Sequence, residues 1–121
     1  MEGLEFLGQK VRVEIDRPMN SLHPKFAYKY EINYGFIPDT IAGDGKEIDA
    51  YVLGIVEPLL TFEGMVKGII QRHDDNENKL IVCEEEYILT KKEIKEKTHF
   101  QEQYFKTSIL LFDMDKNLNN Y

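Results

Sequence analysis

The sequence predicts a mainly β domain with short helices, in which the strands form a small closed β-barrel and the helices pack outside it. Several short runs are apolar and rich in β-branched residues, which is typical of strands. The elements follow one another as strand, loop, strand, strand, hairpin, helices and strand. At 121 residues, 1–121 is predicted to be a single domain with one modest core.

The first strand is predicted over residues 11–15, where apolar and polar side chains alternate. Glu14 lies on the polar face of that strand together with Arg12. Residues 16–28 are predicted to form a loop, because they contain two prolines and no sustained period. An extended segment follows over residues 34–38, and its last residue is a proline, which fixes φ and bars a helix.

A glycine turn separates that segment from the next strand, which is predicted to be buried and to cover residues 48–56. Gly43 and Gly45 flank Asp44 and favour a tight reversal, because glycine takes positive φ without a Cβ clash. Asp49 begins the strand that follows. Two carboxylates at the mouth of a strand are suited to bind a hard cation such as Mg²⁺ through oxygen.

A hairpin is predicted next. Residues 62–72 are interpreted as a turn at Glu63 and Gly64 followed by a strand, and residues 79–83 as its partner. The segment between them, 73–78, is rich in Asp and Asn, which is ordinary hairpin-turn chemistry.

The last third of the chain is predicted to hold the helices and a final strand. Thr90 and Glu93 form a capping box that starts a helix over residues 91–97. A second helical stretch is predicted over 99–105 and a strand over 107–112. The polar, Asn-rich tail 113–121 is expected to fray.

Charge and cysteine content exclude several classes of protein. The formal net charge of −7 disfavours nonspecific nucleic-acid binding, which needs a cationic surface, and suits a protein that collects divalent cations. The lone Cys83 excludes an intramolecular disulfide and fits a reducing compartment; a packed thiol is predicted, because its neighbours are apolar. The sequence shows neither a membrane-length apolar run nor a signal-peptide pattern, so we expect a cytoplasmic protein without a membrane partner.

One motif resembles a known family. The stretch Tyr34-Gly-x-Ile-Pro-x-Thr, followed by Asp44-Gly-x-x-Ile-Asp49, is similar to the signature of the family I inorganic pyrophosphatases, which are soluble and magnesium-dependent. Lys46 stands where the family has its middle aspartate, and Glu47 stands where it has proline. The resemblance implies an OB-type barrel, a Mg²⁺ cofactor that Mn²⁺ can replace, and hydrolysis of pyrophosphate to two phosphates.

The resemblance also implies which residues form the site. For Glu14 the alternative to a site role is a solvated strand residue, and for segment 73–78 it is a solvated hairpin turn. Asp75 is the alternative to Asp74 at the first hairpin aspartate of the family. As catalytic residues it implies Tyr34, Asp44 and Asp49; as metal ligands Glu14, Asp44, Asp49, Asp74 and Glu77; as phosphate-binding residues Tyr34, Lys79 and Tyr104.

Two cationic positions of the family have no match. The loop that supplies a lysine and an arginine in typical members is shorter here, and Arg17, Lys25 and Lys29 are the nearby cations, of which Lys25 is our candidate for binding substrate. Phe105 stands where the family has a lysine beside the tyrosine.

Lys46 has two interpretations: a defect at a water-activating position, or a cation recruited to hold phosphate. The alternatives to pyrophosphate hydrolysis are a binding module without turnover and a hydrolase of another phosphoanhydride, such as a nucleotide. Family members often form homo-oligomers, so self-association of this chain is compatible with the resemblance.

Overall fold

The described part of the chain folds as a closed β-barrel with one α-helix packed against its outer face. The structure is a computed structural model that describes residues 2–43, 45–75 and 77–112. Within these ranges the elements are a 3-10 helix (Leu4–Phe6), strands β1 (Lys10–Arg17), β2 (Asn33–Ile37), β3 (Ile48–Val52), β4 (Thr61–Arg72) and β5 (Asn78–Cys83), helix α1 (Lys91–Glu102) and strand β6 (Thr107–Leu111).

The barrel closes because β4 pairs with both β5 and β1. The strands run in the order β1, β2, β3, β5, β4, and β4 returns to β1, with β6 added at the side of β4. The β3–β5 pair is parallel and the other pairs are antiparallel. The predicted class, mainly β with a barrel, is therefore confirmed.

Strand β4 is long enough to serve three partners. Its first residues pair with β1, where Met65 faces Lys10, and its later residues pair with β5 and β6. The register with β5 shifts between Val66 and Gly68. Such a bulge bends a strand and increases its twist, which lets one strand close a small barrel.

Two apolar cores lie on the two faces of the sheet, as the alternation of strand side chains requires. Cys83 is buried in the second core, and burial raises the pKa of its thiol to about 11. The packed thiol predicted from the sequence is confirmed. The barrel interior is filled by Val13, Ile15, Ile37, Ile48, Ala50, Val52, Val66, Ile69, Leu80 and Val82, and the outer core under α1 contains Tyr30, Ile32, Tyr51, Leu53, Ile70, Ile81, Cys83, Leu89, Ile94 and Phe100.

Gly35 is required by the close approach of β1 and β2. A Cβ atom at this position would lie 1.8 Å from the carbonyl oxygen of Glu14. Any side chain would therefore push the two strands apart. Gly35 therefore allows β2, which carries Tyr34, to pair closely with β1.

Three predicted strand boundaries are wrong. Strand β3 ends at Val52 instead of residue 56, and Gly54, with φ of 89°, follows it. The predicted turn at Glu63 and Gly64 is extended strand, because both residues pair with β1. Strand β1 continues to Arg17, so the loop begins later than residue 16.

The helical region is one continuous helix rather than two. The predicted cap is confirmed, since the Thr90 side chain accepts a hydrogen bond from the backbone N–H of Glu93. The helix then runs past residue 97 to Glu102, because Ile94, Thr98 and Gln101 keep one face buried against the barrel. The tail 113–121 and its predicted fraying lie outside the described residues.

Within residues 2–43, 45–75 and 77–112, no helix has the length and the apolar character that crossing a membrane requires.

Candidate active site

A cavity of about 730 Å³ lies on the outer face of the barrel. The strands form its floor, and the loop after β1 and the end of α1 form its walls. Charged and ring-bearing side chains both line it. Its charged lining is Lys25, Lys46, Asp49, Arg72, Glu77 and Lys79, and its ring-bearing lining is His23, Phe26, Tyr28, Tyr30, Tyr34, Tyr104 and Phe105.

Strand register brings the charged residues together. Ala50 of β3 pairs with Leu80 of β5 in a parallel ladder, so Asp49 and Lys79, each one residue earlier, are neighbours on the outer face. The Lys79 ammonium lies 2.6 Å from Asp49 Oδ2, and the Tyr34 hydroxyl donates to the same oxygen at 2.8 Å.

The Lys79 ammonium also contacts a second carboxylate. Its Nζ lies 3.3 Å from Glu77 Oε2, and the lysine side chain is only 3% exposed. A buried ammonium is costly unless it is paired, and the two carboxylates supply that pairing. Asp49 and Glu77 are 35% and 36% exposed, so both carboxylates also face the cavity.

Tyr34 is a hydrogen-bond donor in this arrangement. Burial raises the pKa of its hydroxyl well above 10, and the negative charge of Asp49 raises it further. The hydroxyl therefore stays protonated at physiological pH and can donate to an anionic oxygen.

Arg72 is a cavity residue that the sequence interpretation missed. It is 5% exposed, and its guanidinium makes a bidentate pair with Glu102, at 2.9 Å from Nε and 2.7 Å from Nη2. Nη1 donates to Asp75 at 3.0 Å, and the guanidinium lies 3.7 Å from the centre of the Phe105 ring. Burial by itself lowers the pKa of Arg72, but the bonds and charge of Glu102 outweigh it and raise the pKa.

The only sequence signal for Arg72 was a cation at the end of a long apolar strand. Its partner on α1 lies thirty residues later.

The predicted convergence of five carboxylates is not what the structure shows among the described residues. Glu14 does not line the cavity; it pairs with Arg12 at 2.9 Å. It lies on the outer face two strands from Asp49, because both residues pair with Phe36. Two strand spacings separate it from Asp49 by roughly 10 Å.

The hairpin aspartates also point elsewhere. Asp74 accepts a hydrogen bond from the backbone N–H of Lys106 at 3.2 Å, and Asp75, its alternative, binds Arg72. Asp44 lies outside the described residues. The predicted site residues that do line one cavity are Lys25, Tyr34, Lys46, Asp49, Glu77, Lys79 and Tyr104.

The donor set fits a cation that is shared with a substrate. Within the described residues, no group of three or more His, Cys, Asp or Glu side chains is placed to hold a metal ion. Asp49 and Glu77 nevertheless converge on one ammonium, which shows that the pair can surround a positive charge. Mg²⁺ is usually held by one or two carboxylates together with substrate phosphates, and these two carboxylates meet that requirement.

The sequence and the fold both match known proteins. The model of a family described as inorganic pyrophosphatase matches residues 6–120 of the chain. A comparison with curated protein sequences finds no significant match.

Solved structures with the same fold include several inorganic pyrophosphatases. The enzyme from Ehrlichia chaffeensis is 19% identical, with a TM-score of 0.70 over 93% of this chain and 92% of that chain. The Helicobacter pylori structure is 20% identical, with a TM-score of 0.63 over 98% and 94%. The Thermus thermophilus structure is 23% identical, with a TM-score of 0.60 over 98% and 88%.

Proposed function

Because this chain belongs to the inorganic pyrophosphatase family, we propose that it hydrolyses inorganic pyrophosphate to two phosphates, with Mg²⁺ or Mn²⁺ as the cofactor. The observation that carries the proposal is the buried Lys79 ammonium, held between Asp49 and Glu77 beside the Tyr34 hydroxyl. A cluster of this kind can accept both a divalent cation and a phosphate group.

The cationic side chains of the cavity would hold the substrate. Pyrophosphate is strongly anionic, and charge-assisted hydrogen bonds to phosphate are among the stronger hydrogen bonds in proteins. Lys79 supplies an ammonium at the floor, and Lys25 and Lys46 supply ammonium groups at the exposed wall. Tyr104 adds a hydroxyl donor, and the Tyr34 hydroxyl would become a second donor by turning from Asp49 to the phosphate; both would orient the phosphate for attack by water.

The carboxylates would hold the cofactor. Asp49 and Glu77, joined in the proposal by Asp44 from the preceding turn, would be its ligands. A bound divalent cation lowers the pKa of a water molecule and neutralises charge on the leaving phosphate. Asp49 has a second role, because it accepts hydrogen bonds from both Lys79 and Tyr34 and so fixes the two donors relative to each other.

A second candidate function is binding of a phosphorylated ligand without turnover. Two observations favour it. Lys46 lines the cavity at the position of the family's middle aspartate, and Phe105 covers the Arg72 guanidinium where a lysine is expected. Each loss removes a group of the kind that typically contributes orders of magnitude in rate.

Phosphate release separates the two functions. The purified protein is expected to release two phosphates per pyrophosphate in millimolar Mg²⁺ and none above background in excess chelator. The measurement is a colorimetric phosphate assay against a heat-inactivated control. Binding of pyrophosphate without phosphate release would favour the second function.

Lys46→Asp tests the mismatch in the signature. The change restores a carboxylate at the family's middle aspartate position, which lies between Asp44 and Asp49 in the sequence, so Mg²⁺ binding is expected to tighten and the rate of pyrophosphate hydrolysis to rise at least about tenfold. The readouts are kcat, KM and the Mg²⁺ concentration that gives half-maximal rate.

The matched control is Lys29→Asp, which makes the same charge change at an exposed lysine that does not line the cavity. It is expected to leave the rate unchanged. A lower rate and a higher KM in Lys46→Asp alone would mean that Lys46 holds phosphate.

A further inference from the structure

The cavity lining that comes from the loop after β1 and from the segment after α1 is rich in aromatic rings that pyrophosphate does not need. His23, Phe26, Tyr28 and Tyr104 belong to it, and Phe26 and Tyr104 are 61% and 64% exposed. Soluble proteins rarely expose a group of large rings beside a cavity unless something binds there. Every heavy atom of pyrophosphate is phosphorus or oxygen, so the anion gains little from these rings.

The rings form a continuous path from the charged floor to the rim. Tyr34, whose hydroxyl binds Asp49, stacks with Tyr30 at a centroid distance of 5.4 Å. Tyr30 meets Tyr28 at 6.1 Å, and Tyr28 lies nearly parallel to Phe26 at 6.3 Å with an interplanar angle of 7°. A ligand with a phosphate end and a flat end could therefore contact the charged floor and the exposed rings at once.

Phe26 and Tyr104 are the exposed rings of this lining, so they are the ones that such a group could reach. Tyr28 also stacks with Tyr104, with a centroid distance of 6.1 Å and an interplanar angle of 26°. Phe26 and Tyr104 are therefore both neighbours of the same tyrosine. His23 fixes the loop that carries Phe26, because its Nδ1 accepts hydrogen bonds from the backbone N–H groups of Lys25 and Phe26.

The size of the cavity agrees with a larger ligand. Its volume of about 730 Å³ lies within the range of roughly 300–1,000 Å³ that is usual for drug-sized ligands. Two phosphate groups would occupy only the charged end.

From these observations we propose that the phosphoanhydride preferred by this site is a nucleoside diphosphate. The inference rests on the proposed function, since the diphosphate would occupy the place assigned above to pyrophosphate, beside Lys79. The base would stack on Phe26 and Tyr104. A polynucleotide is a poor alternative, because the net charge of −7 repels a long polyanion, whereas one nucleotide needs only the local cations.

The test compares two ligands that resist hydrolysis because a methylene group replaces the bridging oxygen: α,β-methylene-ADP and methylenediphosphonate. Dissociation constants would be measured by calorimetry in Mg²⁺. The protein is expected to bind α,β-methylene-ADP at least about fivefold more tightly, since stacking on an aromatic side chain contributes roughly 5- to 150-fold in affinity.

Phe26→Ala is expected to remove that preference, and Phe26→Trp to retain it, because indole also stacks. The matched control is Leu22→Ala, which removes an exposed apolar side chain of the same loop outside the cavity lining and should keep the preference. Melting curves of the three variants exclude unfolding as the cause of any loss.

The outcomes separate the two proposals. Tight binding of methylenediphosphonate with no preference for α,β-methylene-ADP overturns the nucleotide inference and leaves pyrophosphate hydrolysis standing. Equal weakening of both ligands in Phe26→Ala also overturns the nucleotide inference. Failure of both ligands to bind overturns the proposed function and the inference together.

Discussion

Replacing Asp49 with asparagine is expected to lower phosphate release from pyrophosphate by at least about 100-fold. The substitution keeps the size of the side chain and removes its charge. Lys79 and Tyr34 both lie against Asp49 Oδ2, so the change disturbs the phosphate donors and the proposed cation ligands at once. The measurement is kcat/KM with pyrophosphate in saturating Mg²⁺.

A second readout does not depend on turnover. Mg²⁺ that binds only the folded protein stabilises it by mass action and so raises Tm. At a Mg²⁺ concentration of 100 times Kd, the free energy of unfolding rises by about 2.7 kcal/mol. Asp49→Asn should abolish most of the rise in Tm seen with the unchanged protein.

Asp39→Asn is the matched control for Asp49→Asn, since it neutralises an exposed aspartate outside the cavity lining at a position whose φ of 63° asparagine also tolerates. The control should retain both the rate and the Mg²⁺ response. A fully active Asp49→Asn protein would contradict the site as assigned.

Glu102→Gln is expected to lower the free energy of unfolding by about 3–5 kcal/mol, which is typical when one partner of a buried ion pair is removed. Glu102 and Arg72 are 6% and 5% exposed, so the guanidinium would lose its bidentate partner without gaining water. Tyr51, which is buried and donates to Glu102 at 2.6 Å, would lose its charged acceptor as well. Urea denaturation followed by circular dichroism measures the change.

Glu96→Gln provides the comparison on the same helix. Glu96 pairs with Lys92 at 3.9 Å, and the two side chains are 62% and 85% exposed. Exposed pairs of this kind contribute about 0.5 kcal/mol or less, so this variant should be nearly as stable as the unchanged protein. Similar losses of unfolding free energy in the two variants would show that the buried Arg72–Glu102 pair contributes no more to stability than an exposed pair.

The fold was largely predictable because its strands carry their own local signals. Alternation identified β1, and apolar runs identified β3 and β5. Boundaries were less predictable, because they depend on partners distant in sequence. Glu63 and Gly64 suggest a turn by composition, but pairing with β1 keeps them extended.

The site was predictable where the motif and strand register coincide. Tyr34, Asp49 and Lys79 come together because β2, β3 and β5 are neighbours in the sheet. The family resemblance supplied this set, and membership of the family is now established by the match to residues 6–120. The roles of these residues stay predictions until the variants are measured.

Contacts made by single side chains could not be predicted. The family resemblance placed Glu14 and Asp74 with the other carboxylates, but a neighbouring guanidinium and a backbone N–H engage them outside the cavity. Arg72 was overlooked because its burial depends on Glu102 of α1 and on the ring of Phe105. The loop rings carried no periodicity, so their stacking became visible only in three dimensions.

The way in which the barrel closes also determines how the chain must fold. Lys10 at the start of β1 pairs with Met65 of β4, and the parallel β3–β5 pair joins Ala50 to Leu80. Neither ladder can form from a local hairpin. The chain therefore loses the entropy of closing long loops before most of the stabilising native contacts can form. Chains of such high contact order typically fold in about milliseconds to seconds, far more slowly than helical bundles of similar size.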